Sequence, residues 1–99
     1  MNMQAMLKQA QALQKDMMKV KSEIDQSEFV GESSLVKVTL KGTREAIKVE
    51  INVEDKLDKD DIEVMEDMLV VAINDANKKI DEMTEKKMGK FGNIPGLFW

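Results

Sequence analysis

Lysines are the residues of this 99-residue sequence that are best placed to act chemically, and six of them form two groups. The groups are Lys8, Lys15 and Lys19 near the start, and Lys86, Lys87 and Lys90 near the end. The first three recur at steps of seven and four, so a helix would present them on one face. A row of ammonium groups suits the phosphates of a nucleic acid backbone. The alternative is a solvated surface, in which lysines near a helix C-terminus favour the helix dipole.

Catalytic chemistry has few candidates in this sequence. Histidine, cysteine and tyrosine are absent, so acid–base and nucleophilic roles would fall to carboxylates, lysines and hydroxyls. Ser33 and Ser34 have no neighbouring base. Gly42 is an isolated turn residue rather than part of a glycine-rich phosphate loop. The sequence therefore predicts a protein that is not an enzyme and that takes no cofactor or small-molecule substrate.

A cluster of aspartates precedes the second half of the chain and raises the question of calcium. Its members are Asp55, Asp58, Asp60 and Asp61. The cluster lacks the glycine and the terminal glutamate of an EF-hand loop. We interpret it as a solvated connection that caps a helix, with Asp60 and Glu63 as a capping box. No metal site is predicted, and the absence of histidine and cysteine also disfavours zinc.

The net charge of −4 is unevenly distributed. Residues 1–53 carry eight basic and seven acidic groups, a net charge of +1. Residues 54–67 carry two lysines and eight carboxylates, a net charge of −6, and residues 68–99 carry five lysines and four acids, again +1. An acidic total argues against nucleic acid binding. Its concentration in one segment weakens that argument without reversing it.

The first element, α1, is predicted to be a helix over Asn2–Glu23. Apolar residues follow one another at steps of three and four, which is a heptad pattern. These residues, named here the α1 seam, are Met3, Met6, Ala10, Leu13, Met17, Val20 and Ile24. Such a narrow apolar stripe is typical of a helix that packs against one or two partners.

The middle of the chain changes to a period of two, which predicts three short strands. Val36, Val38 and Leu40 alternate with polar residues, and so does the run Ile47, Val49, Ile51 and Val53. Gly42 marks the turn between these runs, and Phe29 and Val30 indicate a shorter strand that ends near Gly31. The expected sheet is an antiparallel meander with one apolar face that needs a cover.

The last element is predicted to be a long helix. Its apolar face runs through Ile62, Met65, Leu69, Ala72 or Ile73, Ala76, Ile80 and Met83. Six consecutive apolar residues, Met68 to Ile73, surround the helix, so we expect a second subunit to cover the side that the sheet does not. The candidate dimer interface is Met68, Leu69, Val70, Val71 and Ile73. The fold class is α+β.

The chain is predicted to divide into one domain, 1–88, and a Gly- and Pro-containing apolar tail, 89–99. Gly89 suits the C′ position that ends a helix, and Pro95 keeps the preceding residue extended. The apolar tail residues are Ile94, Leu97, Phe98 and Trp99. They would dock on the dimer's own helices or in a partner's groove, unless the tail is disordered.

No segment reaches the roughly 18 consecutive apolar residues of a membrane span. Polar residues interrupt the first fourteen residues throughout, unlike a signal peptide. We therefore expect a soluble cytoplasmic protein without a membrane partner.

Several stretches, taken in order, resemble the YbaB/EbfC family of bacterial nucleoid-associated proteins. "MLKQAQALQKDM" is similar to the N-terminal helix of that family, and "LVKVTLKG" followed by "AIKVEIN" to its central hairpin. "EDMLVVAINDANKKI" is similar to its most distinctive stretch, and "IPGLF" to its Pro-Gly-Leu-rich tail. The resemblance runs nearly end to end.

The resemblance implies an intertwined or sheet-packed homodimer whose helices project as paired arms. It also implies binding to double-stranded DNA, a nucleoid location, and a role in nucleoid organisation or gene regulation. The two lysine groups would then lie on the arms and contact phosphates. Arg44 is the only arginine, so bidentate readout of guanine has almost no candidates and binding is expected to be largely to the backbone.

The alternative is a protein-interaction module that is accessory to replication or recombination-repair enzymes. The acidic segment 54–67 and the apolar tail favour this reading. Family members are often encoded beside genes for such enzymes, so replication or recombination proteins are expected as further partners.

Overall fold

The computed structural model describes residues 2–53 and 56–91, and Asp55 and the tail residues Ile94, Leu97, Phe98 and Trp99 lie outside them. The elements are α1 (Met3–Gln26), β1 (Glu28–Ser33), β2 (Val36–Lys41), β3 (Ala46–Ile51), α2 (Lys59–Met88) and a 3₁₀ turn (Gly89–Phe91). This order confirms the predicted α+β class with its helix, three-stranded antiparallel sheet and long helix.

Helix α1 is closed at both ends by side chains. Asn2 Oδ1 accepts a hydrogen bond from the Gln4 backbone N–H at 3.0 Å, and the Ser27 hydroxyl donates to the Glu23 carbonyl oxygen at 2.7 Å. These bonds satisfy end groups that the helix itself leaves free. The helix extends three residues beyond the predicted Glu23, to Gln26.

The sheet has the order β1-β2-β3, and its register sets the apolar side chains of neighbouring strands side by side. Val38 pairs with Val49, and Val36 pairs with Ile51. A register shift next to Leu40 and a positive φ of 76° at Arg44 shape the hairpin around Gly42. The strand predicted around Phe29 and Val30 is shorter than β1. Gly31 occupies an inward-facing position without an apolar side chain, so the alternation that marks a strand is interrupted there.

Helix α2 crosses the inner face of β1 and β2 at very short range. A Cβ atom added to Gly31 would lie 2.0 Å from the Ala72 carbonyl oxygen and 2.4 Å from the Ala76 nitrogen. Three small residues therefore meet here, and Ala72 and Ala76 are fully buried. The core that results is Met17, Ile24, Phe29, Val36, Val38, Leu40, Ala72, Ala76, Ile80, Met88 and Phe91.

The predicted capping box of Asp60 and Glu63 is wrong, because α2 is capped by a different pair of residues. Asp58 is the N-cap: its carboxylate accepts from the Asp60 and Asp61 backbone N–H groups, at 3.0 and 3.1 Å. The Asp61 carboxylate accepts from the Asp58 backbone N–H in return, at 3.0 Å. Three backbone N–H donors are thus satisfied by the two carboxylates, and the aspartates that the sequence groups together act as a helix cap.

Helix α2 ends at Met88, as the sequence predicts, but Gly89 does not provide a left-handed C′ residue. Gly89 is the C-cap with right-handed φ −60° and ψ −30°, and the chain continues into the 3₁₀ turn. Phe91, at the end of that turn, belongs to the core. None of the helices within residues 2–53 and 56–91 is long and apolar enough to cross a membrane.

The C-terminal halves of α1 and α2 lie side by side and run in opposite directions. One cleft is lined by Lys21, Ile24 and Asp25 of α1 and by Ile80, Thr84 and Met88 of α2. Gly42 fixes the end of α1, because a Cβ atom there would lie 1.9 Å from the Ile24 carbonyl oxygen. The segment of α2 from Ile80 to Met88 therefore lies alongside the segment of α1 from Ile24 back towards Met17.

Candidate nucleic-acid interface

The first lysine group lies on the exposed face of α1. At about 100° per residue, Lys8, Lys15 and Lys19 point within about 40° of one another. They lie about 170° around the helix from the centre of the α1 seam, and all three are exposed. Their axial span is about 16 Å, which corresponds to about five base-pair steps of DNA.

The second lysine group lies at the end of α2. Lys86 and Lys87 are exposed and form its last turn, and Lys90 belongs to the 3₁₀ turn that follows. Because α1 and α2 are antiparallel with Ile24 level with Ile80, Lys19 and Lys86 lie at similar heights, each about 8 Å beyond that level. The two groups thus occur at the same end of the molecule.

Among the described side chains, these lysines lack the carboxylate partners that five other cations have. The ion pairs are Lys21 with Asp25, Lys37 with Glu32, Arg44 with Asp81, Lys48 with Glu50 and Lys79 with Asp75. Within the described part of the chain, no carboxylate pairs with Lys8, Lys15, Lys19, Lys86 or Lys87. An unpaired ammonium group gives up no internal partner when it binds a phosphate.

The single arginine has a structural role that the sequence analysis missed. The Arg44 guanidinium donates to Asn77 Oδ1 at 2.6 Å and also to Asp81 Oδ1. It thereby joins the β2–β3 turn to α2. Its partners are 33 and 37 residues away in sequence, so no local pattern could have revealed the contact.

Charge is separated along the long axis of the molecule, which extends 72 Å. The acidic segment 54–67 includes the N-cap and first turns of α2, whereas Lys86 and Lys87 form its last turn. Asp58 and Lys86 are 28 residues apart, or about 42 Å along the helix. At that distance, salt screens the acidic end from the lysines almost completely, so the acidic total does not oppose phosphate binding at the other end.

A broad apolar surface remains open on the side of β3. Val49 and Ile51 face the same way as the buried Val36 and Val38, yet they are 48% and 47% exposed. Beside them, an open cleft of about 530 Å³ lies between the end of β3 and the first half of α2. Its lining residues are Leu35, Asn52, Val53, Lys56, Leu57, Asp61, Val64, Met65 and Met68.

The five predicted interface residues of α2 differ in how exposed they are. Val70 and Val71 are more than half exposed. Met68, Leu69 and Ile73 pack against the core and are partly buried.

The opposite edge of the sheet is covered, which sequence reasoning also missed. The Asp75 carboxylate accepts from the Glu32 backbone N–H at 3.0 Å, and the Lys79 ammonium donates to the Val30 carbonyl oxygen at 2.7 Å. The bond from Glu32 lowers the pKa of Asp75, and Lys79 adds to that effect. The sequence alone indicates only that Asp75 and Lys79 could form an i,i+4 ion pair on a helix.

The described residues contain no group of three or more acidic side chains arranged to hold a metal ion.

Comparison with known proteins identifies the relatives of this chain. A sequence model described as the YbaB/EbfC DNA-binding family matches residues 1–94. A nucleoid-associated protein of Ligilactobacillus salivarius (strain UCC118) is 41% identical over 99 residues, covering 98% of this chain and 95% of the relative. A nucleoid-associated protein of Streptococcus pneumoniae (strain Hungary19A-6) is 44% identical over 98 residues, covering 96% and 98%.

Proposed function

Because the chain belongs to the YbaB/EbfC DNA-binding family, which is not an enzyme family, we propose how it binds DNA. Two copies bind double-stranded DNA at the nucleoid, mainly through the phosphate backbone, in nucleoid organisation or gene regulation. Residues 1–88 are the dimerising DNA-binding unit. The observation that carries this proposal is the row of exposed, unpaired lysines on α1, opposite its apolar seam.

Lys8, Lys15 and Lys19 supply the phosphate contacts of one element, and the lysines at the end of α2, Lys86, Lys87 and Lys90, supply another set. The antiparallel packing of α1 and α2 supports their joint action, since both sets occur beyond the β2–β3 turn. Each phosphate that is neutralised releases condensed counterions, which drives binding and makes it depend on salt.

Little sequence specificity is expected of such an interface. Lysine binds phosphate as a point charge, whereas guanine in the major groove is read by bidentate donors such as arginine. Arg44 already donates to Asn77 and Asp81. These hydrogen bonds hold the guanidinium against α2, so a bidentate base contact would compete with them.

The homodimer is supported by the open apolar surface on β3 and α2. The inner face of β3 and the exposed Val64 and Val71 of α2 would be covered by the same surface of a second copy, as in a two-fold dimer. Val70 and the partly buried Met68, Leu69 and Ile73 contribute at the margin of this surface. Two copies would scatter light as about 23 kDa, twice the 11.3 kDa of one chain.

The DNA proposal is tested by the affinity for a random-sequence duplex across a salt series. We expect log K to fall linearly with log salt, with a slope of about −0.9 per phosphate neutralised. The triple variant Lys8→Gln, Lys15→Gln, Lys19→Gln should bind at least about tenfold more weakly near 0.1 M salt. Its salt slope should be shallower by about one unit per lysine in each bound copy.

A matched control removes the same number of charges from the outer face of the sheet. The variant Lys37→Gln, Lys41→Gln, Lys48→Gln should keep the affinity and the slope of the natural chain. Equal losses in the two triple variants, or an affinity that salt does not change, would contradict the assignment to α1. A mass of 11.3 kDa at micromolar concentration would separately contradict the dimer.

The accessory protein-interaction role stays a prediction, because residues 92–99 lie outside the described residues. A chain that ends at Phe91 should lose replication or recombination partners from a pull-down, if this role is real, while it keeps its affinity for DNA.

A further inference from the structure

The first half of α1 presents apolar side chains that nothing in the described chain covers. Within the α1 seam, Met17 is 5% exposed, but Leu13, Met6 and Met3 are 46%, 54% and 81% exposed. The adjacent Leu7 is 59% exposed. The seam therefore changes from buried to open at one level of the helix, between Met17 and Leu13.

The other end of the chain leaves the core near that level. Helix α2 runs antiparallel to α1 and ends at Met88, and both Met88 and Phe91 belong to the same buried cluster as Met17. Residues 92–99 are the eight that follow, and four of them, Ile94, Leu97, Phe98 and Trp99, are large and apolar. The uncovered part of the seam and the start of this segment thus lie close together.

The lengths of the segment and of the seam agree. Eight extended residues span at most about 27 Å. Met17 and Met3 are 14 residues apart on α1, which is about 21 Å. Near the far end, Met3, Gln4, Met6 and Leu7 line an apolar groove of about 410 Å³, which has room for an aromatic side chain.

We propose that residues 92–99 dock on the open part of the α1 seam, with Trp99 in the groove formed by Met3, Met6 and Leu7. Tethering gives this segment an effective concentration near the millimolar range, which favours it over a free partner. A second copy would instead pack against the uncovered surface on β3. The docked segment would lie opposite Lys8 and Lys15, so it stiffens α1 and leaves the phosphate-binding face free. This inference does not depend on DNA binding.

Trp99 is the only tryptophan, so it reports its own environment. In the full chain, free of DNA, we expect acrylamide to quench its fluorescence at least about twofold less efficiently than in the urea-unfolded chain, because a docked indole is shielded from water. The double variant Met6→Glu, Leu13→Glu should raise quenching to the unfolded value. Both replaced side chains are exposed in the folded chain, so the circular dichroism of the helices should not change.

The control is Ala5→Glu with Ala12→Glu, which adds the same charges to the same turns about 100° around α1 from Met6 and Leu13. It should leave quenching at the natural value. Docking is wrong if Trp99 is quenched in the natural chain as in the unfolded one, or if both double variants behave alike. A fall in mass caused by Met6→Glu, Leu13→Glu, with no change in quenching, would assign the seam to a second copy and overturn the proposal.

Discussion

Strands β2 and β3 have the same alternating pattern but opposite surroundings. Val36 and Val38 are fully buried under α2, whereas their cross-strand neighbours Ile51 and Val49 are about half exposed. The pattern determines which side chains share a face. It does not determine whether that face is covered, because cover depends on where α2 crosses the sheet.

The crossing point follows from three small residues. Gly31, Ala72 and Ala76 let the backbone of α2 approach β1 closely, which draws the helix to the β1 side and away from β3. The covered half of the sheet is therefore complete within one chain. The uncovered half is the surface that a second copy would use.

The largest expected effect comes from blocking that close approach. Gly31→Val would set side-chain atoms against the Ala72 carbonyl oxygen and the Ala76 backbone, so we expect a loss of at least about 3 kcal/mol in the free energy of unfolding. Urea unfolding measures this loss. The control is Gly89→Ala, because Gly89 has helical φ and no atom within 4 Å of its added Cβ; it should be neutral or stabilise by up to about 1 kcal/mol.

The next effect compares the two strands directly. Val38→Ala should lower the free energy of unfolding by about 2 kcal/mol at every protein concentration, since it leaves a cavity inside one chain. Val49→Ala should lower the free energy of unfolding by under about 1 kcal/mol in dilute protein. The loss should be greater at concentrations at which a second copy covers β3. Unfolding in urea at two concentrations about 100-fold apart separates these cases. Equal, concentration-independent costs would mean that β3 is covered within its own chain.

Replacing Arg44 should have a smaller effect. Arg44→Lys keeps the charge but cannot reach Asn77 and Asp81 with two parallel donors, and both charged groups are partly exposed. We expect a loss of about 1 kcal/mol in the free energy of unfolding. Lys37→Arg, on the outer face of the sheet, should change it by less than about 0.5 kcal/mol. Affinity for DNA should not change in either variant, and a loss in Arg44→Lys alone would show that the arginine contacts DNA.

The smallest effect concerns pH and the covered edge of β1. The pKa of Asp75 is lowered in the folded chain, so its contribution is fully present above the ordinary aspartate pKa and is lost as pH falls through the folded value. The difference in urea midpoint between the natural chain and Asp75→Asn should therefore shrink from neutral pH to about pH 3. A difference that stays constant would mean that the Asp75 charge does not stabilise the folded chain.

The sequence predicts the number, type and order of the helices and strands because their apolar periods are distinct. It fails where several residues offer the same local chemistry, as in the choice between Asp58 and Asp60 for the N-cap. It also fails at Gly31, where close packing of backbones replaces an apolar side chain. The lysines of α1 were identifiable because their spacing matches the helix, but their lack of ion pairs required the folded chain.

Arg44, Asp75 and Lys79 show a further limit. Each acts through a partner more than thirty residues away, and its local sequence suggests only surface charge. Contacts of this kind depend on how α2 lies across the sheet, which a single sequence does not encode in any short pattern.

The bonds from Asp75 and Lys79 to β1 also limit how large an assembly can grow. A sheet polymer needs two free edges on every copy, one to receive a neighbour and one to offer to the next. Here the edge at Val30 and Glu32 is already bonded to α2, so a copy added through β3 presents no edge for a third. The covered edge thereby protects the chain from growing into fibres by sheet pairing at high concentration.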